Sequence, residues 1–303
     1  SFSQYFQRLY DVDSSQEWGW DISLKPDNNF FVVGWRYNQF SGKFSLYNLS
    51  INSITKSTIS TNIQRPDSPS ISIGPGLPGE VKKTGGGYLV PVTVQWPNPT
   101  TGYLYSAGGL IRLNSAGDTI FKRVYSDTSN YFDLINTCAV LTNGTFIVAG
   151  ARSLNTVSSY RPYLLIHTNS LGDTIWTRTF QKDTAQYSSV NNVIPLADGR
   201  LVIGAITTYK EYISGFGHID HNSVWFIELD SAGNIIKDTV FGSQYMTGRN
   251  GVCGELYGDL NGGYIAIGNF DSMFTSDPTE PQNYPTFIAH LDTNFRITWL
   301  TEF

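Results

Sequence analysis

The sequence predicts an all-β fold, a β-propeller with about five four-stranded antiparallel blades. A short turn recurs at residues 113–118 (LNSAGD), 168–173 (TNSLGD) and 229–234 (LDSAGN), each time between two apolar runs. The unit around each turn is about 55 to 65 residues long, which is typical of propeller blades rather than helical solenoids. Helical periodicity is absent, and Gly, Pro and Asn are too frequent for long helices.

The clearest unit spans residues 188–241 and predicts the order of strands within a blade. A mixed strand over 189–196 is followed by the tight-turn signal Ala197-Asp198-Gly199 and by an apolar strand over 201–205. A long polar and aromatic loop comes next, then a strand over 224–229, the recurring turn, and a strand to Phe241. Each blade is therefore expected to have two tight turns and one long loop.

The same order recurs along the chain and predicts a single propeller domain over residues 1–303. Its five blades are expected at residues 12–63, 78–127, 132–183, 188–243 and 250–303. Residues 6–11 (FQRLYD) match the outer strand at 121–126 (FKRVYS), so residues 1–11 are predicted to form an extra outer strand. Either the ring closes within this chain, which is the preferred interpretation, or the natural protein continues past Phe303.

These repeats resemble the quinoprotein-type propeller repeat. They are more closely similar to the "DGGY … LDxxGDxxW" repeats of surface and secreted Bacteroidota proteins, many of them cargo of the type IX secretion system. The resemblance rests on residues 261–264 (NGGY), 198–200 (DGR), 229–234 (LDSAGN) and 172–176 (GDTIW). It implies an extracellular or outer-surface location. Five blades are too few for a quinone-dependent dehydrogenase, and the sequence given includes no segment like the C-terminal sorting domain of such cargo.

Composition excludes several classes of function. Charged residues make up 15% of the chain, the formal net charge is -5, and no Lys/Arg cluster is available to neutralise nucleic-acid phosphates. No apolar stretch approaches the roughly 20 residues that span a bilayer, and no signal peptide remains at Ser1, so an exported chain is expected to be mature. Cys138 and Cys253 lie in apolar strands of different repeats, where packing as small hydrophobes is preferred over a disulfide.

The blade end that carries the long loops is the predicted binding surface, because a rigid scaffold presents such loops to partners. It is rich in aromatic residues, whose flat rings suit sugars, peptides or a protein partner. The alternative is that these rings pack the loops themselves. The candidate ligand-binding residues are Trp96, Tyr103, Tyr105, Tyr160, Tyr209, Tyr212, Phe274 and Tyr284.

Two carboxylates raise the possibility of an enzyme, since some five-bladed propellers are glycoside hydrolases with acidic residues on their inner strands. Asp21 and Glu255 fall at equivalent inner-strand positions and could act as acid and as base or nucleophile. Thr137 and Asn192 occupy the same position in other blades, so a third acidic residue is missing. These two residues are weak catalytic candidates.

A metal site is a weaker alternative. His218, Asp220 and His221 lie close together in sequence, but this spacing supplies only part of a coordination shell, and a solvated loop is preferred. No phosphate-binding glycine loop or nucleophile elbow is present, and no cofactor is expected.

The leading hypothesis is a non-enzymatic, secreted or cell-surface propeller that binds a protein or glycan through the long-loop end. A propeller-type glycoside hydrolase and a structural module of a larger surface assembly are the alternatives. Fold alone does not choose among them.

Overall fold

The computed structural model describes the residues 16–25, 27–38, 43–54, 58–64, 72–74, 81–97, 104–125, 132–153, 161–182, 187–213, 217–242, 251–260, 262–270 and 286–303. Every regular element within these ranges is a β-strand. Among the described residues there is no helix long and apolar enough to cross a membrane. The described chain divides into two compact units, residues 1–125 and 126–303. The predicted extra strand at residues 1–11 lies outside the described residues.

The first unit contains two blades. Blade 1 has four strands in sequential order: β1 (Gln16–Leu24), β2 (Phe30–Asn38), β3 (Lys43–Ile51) and β4 (Thr58–Gln64). Blade 2 contains the next five strands: β5 (Ser72–Gly74), β6 (Lys82–Thr84), β7 (Gly87–Pro97), β8 (Leu104–Asn114) and β9 (Thr119–Tyr125). Strands β5 and β6 both pair with β7, on either side of Pro91. Because proline has no N–H to donate, the inner strand of this blade is split into two short pieces.

The second unit contains three blades, each with its four strands in sequential order. Blade 3 consists of β10 (Phe132–Val140), β11 (Phe146–Ser153), β12 (Tyr163–Thr168) and β13 (Thr174–Phe180). Blade 4 consists of β14 (Tyr187–Pro195), β15 (Leu201–Ile213), β16 (Gly217–Leu229) and β17 (Ile235–Gly242). Blade 5 consists of β18 (Gly251–Gly258), β19 (Tyr264–Phe270), β20 (Thr286–Leu291) and β21 (Ile297–Glu302). The prediction of an all-β propeller with five antiparallel blades is confirmed.

Neighbouring blades of a unit pack through apolar sheet faces. In the first unit, the rings of Phe31 and Tyr88 stack with their centroids 3.8 Å apart and 5° between their planes. In the second unit, the rings of Tyr163 in blade 3 and Trp225 in blade 4 lie 5.1 Å apart between centroids, and those of Phe241 in blade 4 and Phe287 in blade 5 lie 5.8 Å apart. Burial of these faces removes apolar surface from water and is the main source of stability.

The cysteine at position 138 is a fully buried thiol in β10, as the packing interpretation predicts. The side chain of Cys253 lies outside the described residues.

The recurring turn is explained by its hydrogen bonds. In the copy between β8 and β9, the Asn114 side-chain oxygen accepts the backbone N–H groups of Ala116 and Asp118, at 2.9 Å each. Gly117 has a φ of 94°, a conformation that glycine adopts without steric cost. The same bonds form at Asn169, Asp230 and Asp292. The turn is therefore a local structure specified by two residue types.

The prediction of long loops in blades 2 and 4 is wrong in part. In both blades the flanking strands stay paired far into the segment predicted to be a loop. In blade 4, β15 and β16 have 13 residues each and pair as far as Ile213 and Gly217. In blade 2, β7 and β8 pair as far as Pro97 and Leu104. The β-branched and aromatic residues that follow Ala205 favour a continued strand over a loop.

Candidate functional site

The extended hairpin of blade 4 carries two of the predicted binding residues. Its outer part, residues 208–213 and 217–222, is called the hairpin extension below. Tyr209 pairs with His221, and Tyr212 pairs with His218. Side chains alternate between the faces of a strand, so the two tyrosine–histidine pairs belong to opposite faces of the ribbon. Six cross-strand pairs at about 3.4 Å each make the extension about 20 Å long.

The same register bears on the weak metal candidates. Residues 218 and 220 belong to one face of the ribbon and residue 221 to the other. The side chains of His218, Asp220 and His221 lie outside the described residues. Within the part of the chain whose side chains are described, no group of three or more His, Cys, Asp or Glu residues is arranged to hold a metal.

The aromatic residues of blade 2 are also at the end of paired strands. Trp96 pairs directly with Tyr105, and the partly buried indole of Trp96 packs against the apolar cluster that contains Phe31 and Tyr88. Trp96 therefore contributes to packing, the alternative role considered for these rings. The other predicted binding residues, Tyr103, Tyr160, Phe274 and Tyr284, lie outside the described residues.

The inner strands of four blades share one β-bulge. In each of these strands the pairing with the second strand shifts by one residue at the bulge. The residue after the bulge then pairs with a residue that occupies the same position of the second strand in every one of these blades. These post-bulge residues are Asp21, Thr137, Asn192 and Glu255. The two carboxylate residues thus occupy equivalent register positions in blades 1 and 5. The Asp21 side chain lies outside the described residues, and Glu255 is half-buried.

In blades 3 and 4 the bulges join one blade to the next. Asn192 donates its side-chain N–H to the Gly254 carbonyl of blade 5 at 2.7 Å. Asn136, within the bulge of blade 3, donates to the Val190 carbonyl of blade 4 at 3.2 Å and also contacts Ser189 Oγ. Sequence reasoning missed Asn136, although a polar residue within an apolar inner strand was a usable signal. The side-chain N–H groups of both asparagines therefore bond across the contact between neighbouring blades.

The third strands carry a varied polar residue next to the recurring turn, and this residue is held by contacts within its own blade. Glu228 is 1% exposed and forms ion pairs with Arg200 and Lys237 of the same blade. Lys237 in turn donates to the Thr293 carbonyl of blade 5. In blade 3 the equivalent His167 contacts Thr145 Oγ1 at 2.8 Å, and burial lowers the pKa of its imidazole.

Blade 5 has a different cluster at this position. His290 Nδ1 lies 2.5 Å from Thr298 Oγ1, and His290 Nε2 lies 3.3 Å from Asp259 Oδ2. The indole of Trp299 is stacked near the imidazole, with a centroid distance of 6.0 Å and 14° between the planes. Trp299 is 46% exposed. Sequence reasoning missed this cluster, because Asp259 is 31 residues from His290 and no local pattern joins it to the adjacent pair Thr298 and Trp299.

The fold and these positions define a five-bladed β-propeller in which Asn136, Asn192 and Lys237 join one blade to the next. No protein-family model matches the chain, and no curated protein matches it. The GH32 β-fructofuranosidase of Bombyx mori has a similar structure, with a TM-score of 0.50 and 13% identity. The match covers 93% of this chain and 61% of the silkworm enzyme, so the chain spans about three fifths of that protein.

Two bacterial structures are also similar in fold. An endo-arabinase from Bacteroides thetaiotaomicron has a TM-score of 0.49 and 10% identity over 90% of this chain and 93% of its own. A member of the DUF4221 family from Bacteroides vulgatus has a TM-score of 0.41 and 10% identity over 96% of this chain and 85% of its own. At these identities the likeness extends to the fold alone.

Proposed function

We propose that this chain is a non-enzymatic binding propeller of the cell exterior, and that its hairpin extension contacts a protein or glycan partner. The observation that carries the proposal is the pairing of β15 with β16 well beyond the strands of blade 3. A two-stranded ribbon is only marginally stable in water by itself. A projecting ribbon with tyrosines on both faces is therefore suited to a role in which a partner covers it.

The inner strands support binding over catalysis. Glycoside hydrolysis needs two carboxylates at a suitable separation on one cleft. In blades 3 and 4 the equivalent positions hold Thr137 and Asn192, which are 1% and 4% exposed. Because the Asn192 amide is bonded to blade 5, this part of the inner surface serves packing. The surface location follows from the resemblance of the repeats to exported Bacteroidota proteins and belongs to the same proposal.

The proposal is tested by shortening the hairpin extension. Residues 209–221 are replaced by Asn-Gly, a two-residue turn that suits strands paired at Thr208 and Asn222. The shortened and full chains are compared on a glycan array and against purified cell-surface proteins of the source organism. We expect the shortened chain to lose at least one glycan or protein that the full chain binds, while the melting temperature stays the same. Unchanged binding by a folded shortened chain would refute the role of the extension.

A glycoside hydrolase is the second candidate, favoured by the shared register position of Asp21 and Glu255. Its test is release of reducing sugar from β-fructofuranosides and other neutral oligosaccharides. A hydrolase would lose at least about a thousandfold in rate in both Asp21→Asn and Glu255→Gln, because each carboxylate is required for the chemistry. If the unaltered chain releases no reducing sugar, the hydrolase is rejected and the binding function remains as the proposal.

A further inference from the structure

We propose that Asp259, His290, Thr298 and Trp299 form a binding site for a neutral saccharide at the recurring-turn end of blade 5. These four residues are called the rim site below. The site is separate from the hairpin extension, which belongs to the other end of blade 4. The proposal does not depend on the function proposed above.

The rim site is held in place by contacts to both nitrogens of one imidazole. Thr298 Oγ1 contacts His290 Nδ1, and Asp259 Oδ2 contacts His290 Nε2. The imidazole is therefore fixed beside the indole of Trp299. Asp259 and His290 remain partly open to solvent, with side-chain exposures of 24% and 19%. The unused acceptor positions of the Asp259 carboxylate can reach a ligand over the exposed indole.

Two residues of the rim site depart from the repeat. Each outer strand has a bulge directly after the recurring turn, and the bulged residue of blade 5 is Thr298. The bulged residues of the other blades are all isoleucine: Ile59, Ile120, Ile175 and Ile236. Asp259 begins the turn between the first two strands, where blades 1, 3 and 4 have Lys25, Leu141 and Leu196. Both departures contact the same histidine.

Comparison with blade 3 indicates that the departures are not needed for a histidine at this position. His167 is the equivalent of His290, and its Nε2 contacts Thr145. The Nδ1 atom of His167 has no hydrogen-bond partner among the described residues. A blade therefore accommodates this histidine without a carboxylate and without a hydroxyl on the bulge. The additional polar groups of blade 5 call for another explanation, such as a ligand.

The indole of the rim site is also more accessible than its equivalent. Trp176 of blade 3 is half-buried under the recurring turn of blade 4, where a Cβ on Gly233 would lie 2.9 Å from the Trp176 ring. The equivalent residue of blade 4, Lys237, lies 4.9 Å from the Phe295 ring centroid. Trp299 instead leaves nearly half of its surface open to solvent.

The chemistry of the rim site favours a sugar. An exposed indole binds the C–H face of a sugar ring, and the Asp259 carboxylate and the Thr298 hydroxyl oxygen beside it can accept hydrogen bonds from sugar hydroxyls. The Asp259 carboxylate disfavours phosphate or carboxylate ligands by like-charge repulsion.

The surrounding row favours an oligosaccharide over a monosaccharide. Tyr257, Ile265, His290 and Trp299 are successive cross-strand partners across blade 5. Tyr257 and Trp299, the two ends of this row, are both about half exposed. Three strand spacings of about 4.8 Å separate them by about 14 Å. Two aromatic rings at this distance suit a chain of several sugar units.

The test is calorimetric titration of the full chain with maltotriose, cellotriose and xylotriose. We expect at least one trisaccharide to bind, and Trp299→Ala to weaken it by at least about tenfold, as for a central aromatic contact. Asp259→Leu and Thr298→Ile introduce the residues that other blades carry at these positions, so the fold should accept them. Both should weaken binding while the melting temperature stays the same.

The matched control is the chain with a shortened hairpin extension, which should bind the trisaccharide unchanged. Loss of binding in that chain, with binding retained in Trp299→Ala, would assign the sugar to the hairpin extension and overturn the rim site. Binding of none of the three trisaccharides by the unaltered chain would also overturn it. Neither result of the rim variants affects the test of the proposed function.

Discussion

Trp225 donates its indole N–H to the Asp238 carboxylate across β16 and β17, over 2.7 Å. The Lys182 ammonium group lies 2.8 Å from the same carboxylate oxygen and 5.6 Å from the Trp225 ring centroid. Since Lys182 follows the outer strand of blade 3, this contact joins two blades at their outer edge. Trp225 is fully buried, so its indole N–H needs a partner.

Substitutions at this contact should show how much of the free energy of unfolding comes from the packing of Trp225 and how much from the ion pair of Asp238. Trp225→Phe removes buried volume and the indole donor, and we expect it to reduce the free energy of unfolding by about 2–3 kcal/mol. Asp238→Asn keeps an acceptor for the indole and loses only a partly exposed ion pair, which is worth at most about 1 kcal/mol. Urea denaturation of both variants measures the difference. A larger cost for Asp238→Asn would mean that the ion pair dominates.

The glycines of the turns should differ in their tolerance of a methyl group. Gly144 and Gly233 have similar positive φ values of 78° and 83°, so alanine costs each about 1 kcal/mol of backbone strain. A Cβ at Gly144 meets nothing within 4 Å, whereas one at Gly233 would clash with the Trp176 ring. We therefore expect Gly233→Ala to cost about 1–3 kcal/mol more than Gly144→Ala. Equal melting temperatures would show that the Trp176 ring moves aside freely.

Phe295 adopts the left-handed conformation, with a φ of 62°, at a position where the other recurring turns have glycine. It is 4% exposed and contacts Phe226 and Tyr264. Phe295→Gly relieves about 1 kcal/mol of strain but loses the burial of a large ring, for a net loss of about 2–3 kcal/mol. Phe295→Ala keeps the strain and should be less stable still. A Phe295→Gly chain more stable than the unaltered chain would contradict this account.

Acid should weaken the recurring turns. Backbone N–H groups, above all that of Asn234, hold the pKa of Asp230 below its ordinary value, and the Arg296 backbone N–H does the same for Asp292. A carboxyl with a lowered folded pKa stabilises the fold above its ordinary pKa of about 4 and loses this effect as the pH falls through the folded value. Asp230→Asn places the residue of two other turns at this site. We expect a shallower fall in melting temperature from pH 5 to pH 3.

The Asp230→Asn chain has a matched comparison in Asp238→Asn, which removes a carboxylate of the same blade away from the turn. If the two variants show the same dependence of melting temperature on pH, the prediction that the Asp230 carboxylate makes the fold sensitive to acid is contradicted.

The sequence predicts the register positions of some candidate site residues, but most of the contacts within the candidate sites could not be predicted from it. The equivalence of residues 21, 137, 192 and 255 followed from counting along the repeats, because strands alternate with a fixed period. The sequence predicts a loop at the hairpin extension of blade 4, since its mixed polar and aromatic residues lack an alternating pattern. The split inner strand of blade 2 required the pairing partners of Pro91 to be known.

The sequence by itself determined the blades, because each recurring turn is closed by bonds between residues two to four positions apart, such as Asn114 with Ala116 and Asp118. Only the tertiary structure decided which polar residues meet. Asp259 is 31 residues from His290, and Asn136 is 54 residues from Val190. Contacts of this kind depend on strand register and on the packing of blade against blade, and neither is encoded in a local pattern.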